Sequence, residues 1–121
     1  MCAGVEVGER LEFEADSDLL AQVLINLLCN AAQATRHLAL PQVRLGVATH
    51  HGRLVIVVDD NGPGIPQSRR SEIFLPFYTT RADGSGIGLN LVRQIAVASG
   101  WSVEVGTGGL GGAQLRLILP R

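Results

Sequence analysis

Apolar and polar positions recur along this chain with two different periods. Val5 and Val7 alternate with Glu6, and Leu11 and Phe13 alternate with Glu12 and Glu14, which predicts a short strand or hairpin over 5–14. Asp16-Ser17-Asp18 then offers side chains suited to cap a helix. From about Asp18 to Thr35 the period lengthens: Leu20, Val23, Leu24, Leu27, Leu28 and Ala31 share one face at helical spacing. A second stripe beside it holds Gln22, Asn26, Asn30 and Gln33. Asparagine is a poor helix residue because its amide competes for backbone hydrogen bonds, so Asn26 and Asn30 break the local rule. Such breaks gather at functional sites, whereas an exposed polar face is the ordinary reading of Gln22 and Gln33.

Period two returns after the loop His37 to Pro41. Val43, Leu45 and Val47 alternate with Arg44, Gly46 and Ala48, predicting a half-exposed strand over 42–49. His50-His51-Gly52 reads as a solvated turn, and Arg53 to Asp59 returns as the partner strand of a hairpin. That return strand, Leu54 to Val58, is a β-branched run without clean alternation, as a central covered strand requires. It ends in Asp59 and Asp60, of which one should point inward and one outward. An inward carboxylate needs a donor, and no Lys or Arg follows closely, so a ligand N–H fits; Gly62 and Gly64 would let backbone approach that ligand. An Asp-Asn-Gly surface turn fits the same residues, and both readings stay open here.

Further along, Gln67 to Ile73 reads as a short helix, with Pro76 ending the Phe74-Leu75-Pro76-Phe77 segment. A polar stretch, Tyr78 to Asp83, runs into Gly84-Ser85-Gly86-Ile87-Gly88-Leu89 and a helix over 86–99 with Leu89, Val92, Ile95 and Ala96 on its apolar face. Glycines at a helix start leave N–H groups and a dipole that favour phosphate. The run is neither the dinucleotide fingerprint nor a P-loop, since no strand leads into it and no Lys-Ser/Thr follows. Gly100 caps the helix, and strands are predicted over 101–105 and 113–119 around a glycine-rich turn. Interleaved helices and paired strands predict an α/β (α+β) two-layer sandwich: a mixed sheet of about five strands with about three helices on one face.

Composition narrows the function classes. With 121 residues the chain suits a single domain over 1–121, its core from about 11 to 120, and 46% hydrophobic residues supply that core. A net charge of −1 argues against a nucleic-acid or membrane surface. No signal peptide or spanning run is visible, and Cys2 and Cys29 do not make a disulfide framework or a zinc site.

Taken in order, Asn26-Leu27-Leu28-Cys29-Asn30-Ala31, Asp60-Asn61-Gly62-Pro63-Gly64, Phe74-Leu75-Pro76-Phe77 and Gly84-Ser85-Gly86-Ile87-Gly88-Leu89 resemble the N, first G, F and second G boxes of the catalytic ATP-binding domain of bacterial two-component sensor histidine kinases. That superfamily is shared with gyrase and MutL ATPases, and the resemblance spans about Leu11 to Pro120. The resemblance implies a Bergerat-type ATP-binding fold, ATP and magnesium as cofactors, and transfer of the γ-phosphoryl group to a histidine on a separate dimerisation domain. Asp60 would accept from the adenine amine and reject guanine's carbonyl. Asn30, with Asn26, would hold magnesium through amide oxygens. Gly86 and Gly88 amides would hold phosphate, and Ala34, Gly62, Gly64, Ile65, Gly84, Ser85, Ile87 and Leu89 would line the nucleotide. Tyr78 to Ser85 would form the lid, anchored by Phe74 and Phe77, with Thr79, Thr80 and Arg81 as phosphate contacts and Arg81 as a catalytic charge. The short lid resembles the nitrogen-regulation type of these kinases.

The departures carry information too. Gln22 stands one turn before Asn26, where gyrase-type ATPases carry a glutamate base, and a neutral amide cannot be that base. Slow hydrolysis, with the phosphoryl group kept for transfer, is therefore expected. Gln33 stands where many members of that family have a lysine near the phosphates, so Arg81 would supply that charge, and Ala113 stands where a threonine often helps hold adenine through water, so lower adenine affinity is expected. His37 and His50-His51 lack the following acidic residue of an acceptor, so the acceptor should lie outside this chain and the domain should be a monomer excised from a longer kinase. The resemblance implies a cytoplasmic domain, whose parent can be anchored in the inner membrane elsewhere, and a downstream response regulator. Two alternatives share the ATP site: a non-catalytic nucleotide sensor, and a serine kinase of the anti-sigma type.

Overall fold

In a computed structural model of the chain, residues 5–6, 16–74 and 87–120 are described. The elements in order are β1 (Val5–Glu6), α1 (Ser17–Thr35), β2 (Val43–His50), β3 (Arg53–Asp60), a 3-10 turn (Gln67–Arg69), α2 (Ile87–Ser99), β4 (Ser102–Thr107) and β5 (Ala113–Leu119). The strands form one sheet in the order β1-β2-β3-β5-β4. β1 runs parallel to β2 and every other pair is antiparallel, so the sheet is mixed as expected.

β3 lies at the centre of that sheet, and its apolar run alternates buried Leu54, Ile56 and Val58 with half-buried Val55 and Val57 on the other face. Leu54, Ile56 and Val58 pair across to Leu119, Leu117 and Leu115 of β5 and face the helices. Val23, Leu27 and Ala31 of α1 and Leu89, Val92, Ile95 and Ala96 of α2 close the core from above. Leu27 and Leu117 are fully buried. Asp16 begins α1: its Oδ1 accepts from the N–H groups of Asp18 and Leu19, both at 3.0 Å. α2 ends in a Schellman motif, with Gly100 at φ 76° and the Trp101 N–H reaching Ala96 O at 2.8 Å. Trp101 is thereby turned into the core, so β4 starts one residue later than the alternation suggests.

One expectation changes. The segment after Pro66 makes a single 3-10 turn followed by hydrogen-bonded turns, so two α-helices cover the sheet among the described residues. Gln67 to Glu72 offers no apolar side chain to bury; only Ile73 and Phe74 reach the core, and i→i+3 bonds suffice for so short a piece. Of the short strand or hairpin expected over 5–14, Val5–Glu6 form β1, and residues 7–14 lie outside the described residues. His51 and Gly52 both have positive φ, the conformation of a tight two-residue hairpin turn between β2 and β3.

Candidate nucleotide-binding site

The site is assembled where β3 leaves the sheet. Asp59 and Asp60 alternate across it as expected, yet both are buried, at 4% and 2% exposure. On the helix side, Asp60 Oδ1 accepts from Gly62 N at 2.8 Å and Ala113 N at 3.3 Å. Among the described residues no hydrogen bond reaches Oδ2, which leaves that oxygen for a ligand donor. On the far side, Asp59 is covered by Arg44 Nη2 at 3.3 Å and Gln114 Nε2 at 3.0 Å. The outward carboxylate is thus an ion pair inside the sheet's outer surface rather than a solvated group.

Burial raises the Asp60 pKa above its ordinary value, against the stabilising N–H groups of Gly62 and Ala113; neighbouring Asp59 adds a smaller upward push. Asn61 does not close a surface hairpin. Its Oδ1 accepts from Gln42 N at 2.8 Å and its Nδ2 donates to Leu40 O at 2.9 Å, pinning the loop that precedes β2. The Asp-Asn-Gly turn reading is therefore excluded, because β3 is followed by the 61–66 loop and the 3-10 turn.

Glycines let three backbones close around the carboxylate. A Cβ at Gly62 would sit 2.8 Å from Ala34 O and 3.0 Å from Asp60 Oδ1. One at Gly112 would sit 2.5 Å from Asp60 Oδ1 and 2.7 Å from Gly62 N, and would collide with Asp60 O. Gly64 has φ 78°, which favours glycine, and faces Gly112. Gly112 N donates to Asp60 O at 3.1 Å, so the β4–β5 turn is bonded onto the end of β3. The last turn of α1, the β3 loop and the β4–β5 turn therefore meet at Asp60.

Along α1, Asn26, Asn30 and Ala34 are each half-buried and recur every four residues, so they share a stripe beside the buried Val23, Leu27 and Ala31. Ala34, at the end of that stripe, meets Gly62. Gln22 is exposed. Ile65 packs against the core, and Phe74 is buried in it with the Arg93 guanidinium of α2 5.9 Å from its ring centre. Leu89 is also a core residue, so its side chain serves packing, while α2 begins at Ile87 with Gly88 in its first turn. Phe77, Thr79, Thr80, Arg81, Gly84, Ser85 and Gly86 lie outside the described residues. Among the described residues no three His, Cys, Asp or Glu side chains cluster to hold a metal.

Several residues of the site carry no local sequence signal. Gly112 and the Ala113 N–H reach Asp60 only because β5 pairs with β3 in this register. Ala113 contributes its backbone, so this bond is indifferent to the missing threonine hydroxyl. Arg44 and Gln114 are recognisable as partners of Asp59 only once β2, β3 and β5 are aligned.

Residues 15–121 match the family described as histidine kinase-, DNA gyrase B- and HSP90-like ATPase. The signal transduction histidine-protein kinase AtoS of Escherichia coli K12 is 40% identical over 107 residues, covering 88% of this chain and 17% of AtoS. The nitrogen regulation protein NtrY of Azorhizobium caulinodans is 37% identical over 122 residues, covering 94% of this chain and 16% of NtrY. The catalytic domain of histidine kinase ThkA superposes with a TM-score of 0.76 at 30% identity, covering 88% of this chain and 68% of that one. The chain thus spans less than a fifth of these curated relatives, and among its described residues no helix is long and apolar enough to cross a membrane. It belongs to the histidine kinase-, DNA gyrase B- and HSP90-like ATPase family, as a catalytic domain of the sensor histidine kinase type.

Proposed function

We propose that this domain binds ATP with magnesium and donates the γ-phosphoryl group to a histidine on a separate domain of its parent kinase. One observation carries the reading: a buried carboxylate whose Oδ1 is saturated by two backbone N–H groups while Oδ2 takes none among the described residues. Adenine offers a 6-amine to such an oxygen, whereas guanine offers a carbonyl that would face it acceptor to acceptor. The glycines at 62, 64 and 112 bring backbone close to the base. Asn26 and Asn30 suit a magnesium ion through their amide oxygens, and the ion would neutralise phosphate charge. The first turn of α2 presents backbone N–H groups and a favourable dipole to phosphate.

In the transfer, an imidazole nitrogen of the acceptor attacks the γ-phosphorus while the bond to the ADP oxygen breaks. Catalysis of that step rests on alignment and charge stabilisation. Exposed Gln22 has no basic group to activate water, so bound ATP is preserved for the acceptor. A downstream response regulator and a cytoplasmic location follow from the same reading. Calorimetric titration with a non-hydrolysable ATP analogue, with and without magnesium, tests it. Magnesium-enhanced binding supports the site; no binding refutes it. Binding without transfer to any acceptor would make the domain a nucleotide sensor instead.

A further inference from the structure

Arg70 follows the 3-10 turn, and its half-buried side chain reaches in two directions. Nε donates to Ile65 O at 3.1 Å, and Nη2 donates to Thr107 Oγ1 at 3.1 Å. These acceptors belong to separate pieces of the fold. Ile65 lies in the loop leaving β3, beside Asp60; Thr107 ends β4, at the entry to the turn that carries Gly112. Arg70 also stands four residues before buried Phe74, so the same side chain ties the segment after the 3-10 turn to both.

The 61–66 loop has reason to need such a tie. Pro63 and Pro66 remove two backbone donors, and no backbone–backbone hydrogen bond joins two residues of 61–66 among the described residues. Its near end is fixed by Asn61 and by Gly62 N on Asp60. Its middle carries the left-handed Gly64, where an added Cβ would lie 3.8 Å from the Gly112 carbonyl carbon. The far end is held by the Ile65 side chain in the core and by Arg70 on the Ile65 carbonyl. A planar guanidinium can serve two acceptors in fixed directions at once, which a lysine ammonium on a flexible stem does poorly.

We propose that Arg70 is a positioning residue for the nucleotide base, bracing the Gly64–Ile65 segment against the end of β4 so that the wall beside Asp60 holds its shape before a base arrives. The inference rests on the ATP reading for its purpose, while its geometry stands without it. The base then meets a preorganised wall, and the cost of ordering the loop on binding is avoided.

The test uses Arg70→Lys, Arg70→Gln and Thr107→Val in two measurements. In amide hydrogen exchange without nucleotide, Arg70→Gln should speed exchange at Gly62 and Gly112, whose N–H groups are bonded to Asp60, about tenfold while the core strands stay protected. Thr107→Val should do so by about threefold, and the double variant no more than Arg70→Gln alone, since both cut one brace. In calorimetry, Arg70→Gln and Arg70→Lys should weaken ADP and a non-hydrolysable ATP analogue by the same factor, about tenfold, because the base and not the phosphates has lost its support. Unchanged loop exchange in Arg70→Gln would overturn the proposal, as would a loss confined to the triphosphate or full rescue by lysine. Failure of the unaltered chain to bind either nucleotide would fall on the ATP reading, and the exchange result would still decide the brace.

Discussion

Replacing Asp60 with asparagine separates the charge of this side chain from its shape. The two backbone donors at Oδ1, Gly62 N and Ala113 N, admit only an acceptor there, so the asparagine carbonyl must take that position and its Nδ2 must replace Oδ2. The fold keeps both bonds and loses a buried charge whose pKa is raised by desolvation. Because the folded state holds the Asp60 proton to higher pH than the unfolded chain does, ionised Asp60 costs stability above its raised pKa, and that cost is absent below the ordinary carboxylate value. At neutral pH the variant should therefore melt no lower than the parent. Its site, however, now presents a donor to the adenine amine. Losing a hydrogen bond to a charged group and leaving a donor unpaired costs about 3 kcal/mol, a roughly 150-fold loss of affinity. The guanine carbonyl would be accepted by the new amide, so the loss for a GTP analogue should be much smaller than for the ATP analogue. Calorimetry with both analogues, alongside a melting curve, reads all three quantities. Equal affinity for the ATP analogue in parent and variant, or a loss that tracks unfolding, would refute the reasoning.

Other perturbations follow from the same geometry. Affinity for the ATP analogue should fall with acidification through a midpoint above the ordinary carboxylate pKa, because protonated Asp60 is a poorer acceptor; the same titration on Asp60→Asn should be flat over that range. Gly112→Ala places a methyl group against the Asp60 carboxylate and should cost about 1–3 kcal/mol in a denaturant titration, together with weakened nucleotide binding. Asp16→Ala removes the α1 cap and should cost about 1 kcal/mol in the same titration, leaving nucleotide affinity unchanged. Leu117→Ala, at a fully buried position on β5, should cost about 2–5 kcal/mol.

What the amino-acid order reveals unaided is set by how local each interaction is. α1, the β2–β3 hairpin and β5 follow from periodicity that neighbouring residues express by themselves, and Asp16 caps through contacts two and three residues away. Asn26 and Asn30 are visible as helix rule-breakers, and the structure sets them on one half-buried stripe. Asp60 is legible because a carboxylate ends an apolar strand. Its actual partners are less so: Ala113 is 53 residues away and meets it through β3–β5 register alone. Asp59 is the sharper case. Alternation correctly sends it to the outer face, yet its burial depends on Arg44 and Gln114 arriving from two other strands. The segment over 67–73 makes only a 3-10 turn, since local composition does not say whether a face is available to bury.

In the proposed reaction, a nucleotide seated on Asp60 feeds phosphoryl transfer to histidine. The direct measurement mixes this domain and its Asp60→Asn variant with γ-labelled ATP, magnesium and a histidine-bearing acceptor domain, then washes the product with acid or alkali. The expected product is a label on the acceptor that survives alkali, is lost in acid and is much reduced with the variant. An acid-stable label would point to serine chemistry, and no label despite bound ATP would contradict the transfer claim outright.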